Sequence, residues 1–344
     1  MNQINAKIIQ AVIDKAQKVC PGALALVGVY GSVATGDTHA KSDLDLLILI
    51  EDERGRELAT GMILEDADVG YDLYCTTWEN LRCDAEINHA HVAKLMDCQV
   101  VYEGRAGAYE ELCRLRARAE QILRCSERYE RAEVLLKQAK MLFADICLTD
   151  ELGKARVSAC YMIDDLASAL MLYHGRYFHY GTRRMLEELA ELPDSNAWIG
   201  YINQIAKACD IQTLCNLCRD CLRLVQASMQ QNCERKAPSA ELAGTYEEMY
   251  SNWRNKVVLA AETDDAYSSF ANLSALHAML AEISQDYAIP EQDVMHQYHP
   301  GKLTDNAEVF DRHLQAYERV YQEAGICVKR HADVDAFVQE YLCQ

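Results

Sequence analysis

The chain has little of what breaks helices: of 344 residues only 16 are glycine and 5 proline. Together with abundant Ala, Leu, Glu and Met, that scarcity predicts a mostly helical protein. Basic residues are short as well, 34 Lys and Arg against 53 Asp and Glu, for a net charge of -19. Such a balance argues against a protein whose main task is gripping a nucleic-acid backbone, because that affinity comes largely from cations neutralising phosphates. It leaves small cationic substrates and basic partners open. No segment approaches the roughly 20 consecutive apolar residues needed to span a bilayer. The start, Met1-Asn2-Gln3-Ile4-Asn5, lacks the basic and apolar regions of a signal peptide, so a cytoplasmic location is expected. Several signatures are missing too: the P-loop, the glycine-rich dinucleotide turn after a strand, and the Gly-x-Ser-x-Gly elbow. The 15 cysteines form no paired framework and sit mainly inside apolar helical patterns, as reduced thiols used as small hydrophobes would.

What remains divides into two regions of different texture. Residues 1–105 predict a small α/β unit. Ile4–Val19 has helical spacing, and Ala23–Tyr30 and Asp43–Ile50 read as buried strands. Val69–Cys75 is a shorter alternating strand, Trp78–Met96 a helix, and Gln99–Glu103 a last strand. From Ala106 onward helix follows helix: Tyr109–Ile122, Tyr129–Cys147, Lys154–Tyr173, Thr182–Leu192 and Ile211–Met229. The polar stretch Asn232–Pro238 interrupts the apolar period. Beyond it Leu242–Ala261, Ala266–Ile283, Asn306–Gly325 and Asp333–Cys343 suffice for a further helical subdomain. The expected architecture is α+β, a mixed-sheet core over 1–105 followed by helical domains over 106–231 and 232–344. With a length of 344, two or three domains are expected.

The chemistry concentrates in Val29-Tyr-Gly31-Ser32, a small-residue turn, and Ser42-Asp43-Leu-Asp45-Leu-Leu-Ile-Leu. Strand geometry puts Asp43 and Asp45 on one face, about 6.5–7 Å apart at the backbone. Two acids in so apolar a run are costly unless compensated. A pair of Mg²⁺ ions would compensate them, the arrangement used for in-line phosphoryl or nucleotidyl transfer. Upstream, Gly31 lets the backbone approach a phosphate, and the Ser32 hydroxyl with neighbouring N–H groups suits triphosphate oxygens.

Gly31-Ser32 followed by Asp43-x-Asp45, with Ala34, Gly36 and Ser42 between, resembles the signature of the nucleotidyltransferases of the DNA polymerase beta superfamily. The resemblance implies a third carboxylate on a neighbouring strand. Asp72, in Gly70-Tyr-Asp72-Leu-Tyr, is the residue that fits, as ligand of an acceptor-side metal or as the base that takes the acceptor proton. Asp66 and Asp68 precede that strand as loop acids. A transferase core ahead of a helical bundle is similar to the bacterial kanamycin and lincosamide nucleotidyltransferases, which attach AMP to a drug hydroxyl. The stretch Tyr161–Leu189 is loosely similar to their helical domain. The resemblance therefore implies an enzyme that uses ATP or another nucleoside triphosphate with Mg²⁺, and a small hydroxyl acceptor, of which a cationic aminoglycoside-like drug is one kind. The rival acceptors are a protein or tRNA partner, and the rival class is a non-catalytic nucleotide-binding module.

Other signals read more plainly. Lys137, Lys140, Arg176, Arg183 and Arg184 are candidates to reach phosphate, and Glu130 and Glu133 to act as an acceptor-side base, though each reads first as a solvated helix residue. Cys215-x-x-Cys218-x-x-Cys221 invites a metal cluster. Its i, i+3, i+6 spacing instead lays the sulfurs along an apolar helix stripe with Leu214, Leu217 and Leu222. His89 and His91, like His296 and His299, read as surface or loop residues.

Overall fold

The structure, a computed structural model, describes residues 3–38, 42–66, 68–229 and 235–343. It divides into two compact units, Met1–Gln230 and Gln231–Gln344. Of the interruption expected at Asn232–Pro238, residues 232–234 lie outside the described residues, as do 39–41 of the turn before Asp43.

The first unit opens with α1 (Gln3–Val19) and β1 (Leu24–Tyr30), then α2 (Gly31–Thr35) and β2 (Asp45–Ile50). A hairpin of β3 (Thr60–Leu64) and β4 (Val69–Leu73) follows, then β5 (Cys75–Thr77), α3 (Trp78–Ala85), α4 (Ala93–Met96) and β6 (Gln99–Glu103). The main sheet runs β5-β2-β1-β6; β1 pairs antiparallel with β2 and β6, and β2 pairs parallel with β5. The hairpin forms a separate two-stranded sheet. The helical part comprises α5 (Ala108–Arg124), α6 (Glu127–Leu148), α7 (Leu152–Tyr173), α8 (Met185–Leu189), α9 (Ser195–Lys207) and α10 (Ile211–Ser228).

Period-two alternation in β2 decides which side of the sheet meets what. Leu46, Ile48 and Ile50 join a core with α1 residues Ile8, Ile9, Val12 and Ile13 and with Tyr71 and Leu73 of the hairpin. Leu47 and Leu49 point the other way, into one continuous core with Leu112 of α5, Leu135 of α6, Met162 of α7 and Leu214 of α10. Each such fully buried Leu contributes about 1.5–3 kcal/mol. One hydrophobic core thus ties the sheet to the helices that follow it.

Three expectations in this unit need correction. Trp78–Met96 is not one helix: α3 stops at Ala85, Ile87 takes a left-handed φ of 54°, and α4 resumes only at Ala93. The apolar period continued through the break because Ile87, Ala90, Val92 and Leu95 are all buried, although the backbone between them is not helical. Val69–Cys75 splits into β4 and β5, and the β3 partner of the hairpin, mostly exposed, carried no readable period. Thr182–Leu192 is a 3-10 turn leading into the short α8.

The second unit contains α11 (Thr245–Met249), α12 (Asn255–Thr263), α13 (Ala266–Asp286), α14 (Leu303–Glu323) and α15 (Val334–Cys343) around its own core of Leu273, Leu276, Phe310, Leu314, Tyr317 and Tyr321. Leu242–Ala261 is likewise broken, with a π turn at Tyr250–Arg254 between α11 and α12. The Tyr321 hydroxyl accepts from the Tyr246 N–H at 2.8 Å and donates to the Leu242 carbonyl at 2.7 Å, so the buried phenol is satisfied on both sides.

On α10, Cys218 and Cys221 are buried and Cys215 half-buried, in line with Leu214 and Leu222. Burial pushes the thiols of Cys218 and Cys221 up to about 12. In the native protein these two thiols are expected to resist 5,5′-dithiobis(2-nitrobenzoate) while exposed Cys83, Cys160 and Cys209 react. Peptide mass mapping after a short exposure checks this, and labelling of Cys218 at the pace of Cys209 would contradict it.

Candidate active site

Parity along β2 also places the site. Asp45 shares its face with Leu47 and Leu49, the face covered by the helical part, and stands opposite Tyr30 in the β1–β2 register. Directly after Tyr30 the chain turns through Gly31 at φ +65° into α2. A Cβ on Gly31 would sit 2.0 Å from Asp45 Oδ2, so the carboxylate lies against bare backbone that only glycine leaves open. Asp43 precedes the strand and is exposed, whereas Asp45 is half-buried. Burial, and then the Asp43 charge, push the Asp45 carboxyl up to about 6.

These residues line a cleft of about 510 Å³. Its floor holds Gly31, Ser32, Asp43 and Asp45 together, with Tyr30 and Tyr74 joined hydroxyl to hydroxyl at 2.8 Å. Burial keeps the Tyr30 phenol un-ionised. One wall is the loop between α3 and α4 together with its flanking helix residues: Asp84 and Lys94 form an ion pair at 3.0 Å, and His89 and His91 stand between them. Residues 178–184, from the helical part, adjoin that loop and complete the lining.

That 178–184 segment is fixed by two acids. Asp97 accepts from the Tyr177 hydroxyl at 2.7 Å and pairs with His179 Nδ1 at 3.0 Å, which raises the His179 pKa. Buried Glu188 accepts the backbone N–H groups of His179 and Tyr180 at 2.8 and 3.0 Å. Arg183 reaches across to Asp37, 2.5 Å away, and holds its carboxyl below the usual range. Arg184 lies 3.9 Å from the centre of the Tyr180 ring and is bonded to Glu187.

Of the sequence candidates, the cleft therefore gathers Gly31, Ser32, Asp43 and Asp45, and adds Arg183 and Arg184. Asp72 is exposed on β4, opposite Gly61, and lines an adjoining open groove that shares only Asp43 with the cleft. Lys137 pairs with Glu133 on the exposed face of α6, and Arg176 with Glu191; none of these, nor Lys140 or Glu130, lines the cleft. His89 and His91 lie in a loop, as expected, and that loop lines the cleft. The available signal was an alternation in the loop: Ala90 and Val92 are buried, so the positions between and before them turn the other way.

The donor set fits a divalent cation. The acids are hard oxygen ligands, and among the described residues the influences that shift the Asp45 carboxyl are burial and a second negative charge, both of which a bound cation relieves. Among the described residues no group of three or more His, Cys, Asp or Glu is gathered for a metal, so Asp43 and Asp45 alone supply this fit. Proton and metal then compete for Asp45. Mn²⁺ affinity is expected to be level above about pH 7 and to fall roughly tenfold per unit below about pH 6, as one proton must leave. Mn²⁺ titration by electron paramagnetic resonance measures it, and an affinity unchanged between those limits would count against Asp45 as a ligand.

Among the described residues no helix is long and apolar enough to cross a membrane. No curated protein matches the chain. The crystal structure of a nucleotidyltransferase-like protein from Exiguobacterium sibiricum 255-15, at 1.90 Å resolution, is 12% identical, with a TM-score of 0.37; the match covers 64% of this chain and 75% of that one. Residues 7–100, which contain α1 from its fifth residue through the start of β6 and all of the Gly31-to-Asp72 candidates, match the family model of the nucleotidyltransferase domain. The amino-terminal part of the chain is thus a nucleotidyltransferase domain, followed by a largely helical remainder.

Proposed function

We propose that this protein is an Mg²⁺-dependent enzyme that transfers a nucleoside monophosphate, AMP from ATP, to a hydroxyl of a small acceptor, releasing pyrophosphate. The observation that carries this is the Asp45 carboxylate, half-buried against Gly31 and beside Asp43, where burial and the Asp43 charge both oppose its ionisation. Asp43 and Asp45 would hold Mg²⁺, which when bound neutralises the phosphates and stabilises charge as it develops at the transferred phosphorus. Gly31 admits the triphosphate close to the backbone, and the Ser32 hydroxyl and the first N–H groups of α2 donate to its oxygens. Arg183 and Arg184 supply positive charge from the 178–184 segment. Asp72 serves from the adjoining groove as the acceptor-side carboxylate.

The acceptor occupies the part of the cleft lined by the α3–α4 loop and residues 178–184. Its acids are largely paired, Asp84 to Lys94 and Asp37 to Arg183, so a hydroxyl-rich molecule suits the cleft at least as well as a strongly cationic one. Incubation with α-³²P-ATP, Mg²⁺ and a panel of aminoglycosides, lincosamides and simple polyols is expected to label a small molecule. Asp45→Asn should abolish labelling, a loss of at least about a hundredfold, with an unchanged circular dichroism spectrum. Label appearing instead on protein or tRNA would transfer the reading to a macromolecular acceptor, and an active Asp45→Asn variant would remove the metal site from it.

A further inference from the structure

In the α3–α4 loop that lines the cleft, His91 Nε2 lies 2.8 Å from Asp164 Oδ1, a carboxylate on α7, 73 positions along the chain. A carboxylate only accepts, so Nε2 donates and the neutral ring keeps its lone pair on Nδ1. Among the described residues nothing hydrogen-bonds that Nδ1. The ring is stacked on buried Phe178, centroids 4.7 Å apart and planes 21° from parallel, and Phe178 is itself tied to the loop by its N–H to the Ala90 carbonyl at 2.9 Å. His91 is held on one edge and one face, yet its side chain remains 34% exposed and lines the cleft.

Its neighbour is held in a complementary state. The His91 backbone N–H donates to His89 Nδ1 at 3.2 Å, which leaves the His89 proton on Nε2. Burial lowers the His89 pKa and keeps that ring neutral. The loop thus carries one imidazole whose Nδ1 is left to accept a proton and one able to donate a hydrogen bond. An oriented imidazole beside a substrate hydroxyl is the arrangement of general-base catalysis, which contributes about 10²–10⁴-fold.

We propose that His91, held by Asp164, is the general base that takes the proton of the acceptor hydroxyl. The assignment rests on the transferase reading above. In the step, the acceptor oxygen attacks the α-phosphorus, the new O–P bond forms as the bond from the α-phosphorus to the bridging oxygen breaks, the acceptor proton passes to His91 Nδ1, and pyrophosphate leaves. His91 is the catalytic residue; Asp164 is a positioning residue that fixes the tautomer and the ring plane.

The test measures pyrophosphate release from MgATP with water, glycerol, kanamycin and lincomycin as acceptors, beside Mn²⁺·ATP binding and the ¹⁵N spectrum of the histidine side chains. His91→Gln is expected to slow release by about a hundredfold or more while nucleotide binding stays within about twofold. Imidazole should partly restore His91→Ala, and Asp164→Glu should retain more activity than Asp164→Asn. The wild-type spectrum should show His91 protonated at Nε2 and unprotonated at Nδ1. A His91→Gln enzyme as fast as wild type, a parallel loss of nucleotide binding, or the opposite tautomer would overturn the assignment and leave the transferase reading standing. A wild-type protein that releases no pyrophosphate with any of these acceptors overturns both. Should His91→Gln fail to fold by circular dichroism, the Asp164→Asn and Asp164→Glu rates and the wild-type tautomer decide the question.

Discussion

The site depends on one close approach, a carboxylate seated on a glycine. Asp45 Oδ2 occupies the volume that any side chain at position 31 would need. The β1–β2 register brings Tyr30 opposite Asp45, and the left-handed turn at Gly31 then carries the chain past the carboxylate instead of into it. A larger residue would have to push the acid away or unpair the strands, and Asp45 is the first residue of a strand whose next five are buried. The charge is therefore held where solvation is poor, next to another charge of the same sign, by packing that has no electrostatic reason to put it there. That is the kind of local conflict a fold retains at a working site.

The second constraint is the shared core. Because Leu47 and Leu49 pack into the same cluster as α5, α6, α7 and α10, the helical part is not a loosely attached module beside the sheet. The 178–184 wall inherits that rigidity and refines it through Asp97 and Glu188. Glu188 is a buried acid whose two oxygens each accept a backbone N–H, a pairing that fixes backbone rather than side-chain positions. The Asp164 carboxylate reaches His91 for the same reason: α7 is locked to the core on its other face through Met162, Leu166 and Leu170.

How much of this was legible in the sequence follows from distance along the chain. The strand-turn-strand with Gly31, Ser32, Asp43 and Asp45 could be read because pairing at i, i+2 and a tight turn are local properties. The mixed-sheet core and helical continuation were readable from periodicity, and α5, α6, α7 and α10 fall close to their expected spans. The break between α3 and α4 was not, since the buried residues kept helical spacing while Ile87 left helical backbone. That the histidine loop lines the cleft was not legible for a related reason. His91 acquires meaning only from a carboxylate 73 residues away and a ring at position 178, and neither leaves a trace in local spacing. Arg183 and Arg184 carried a signal of charge near a helix junction, but not that the junction faces the turn bearing Asp37.

The Asp37–Arg183 pair has a consequence for how the cleft fills. An anion that recruits Arg183 meets a carboxylate already bound there, so the protein carries an internal competitor of its own ligand. Apparent affinity is then the intrinsic one multiplied down by the fraction of time the arginine is free. Salt, which weakens an exposed pair, raises that fraction even as it screens the ligand, and the two effects oppose each other. Occupancy of such a cleft is buffered against ionic strength in a way that a cleft with an unengaged arginine is not.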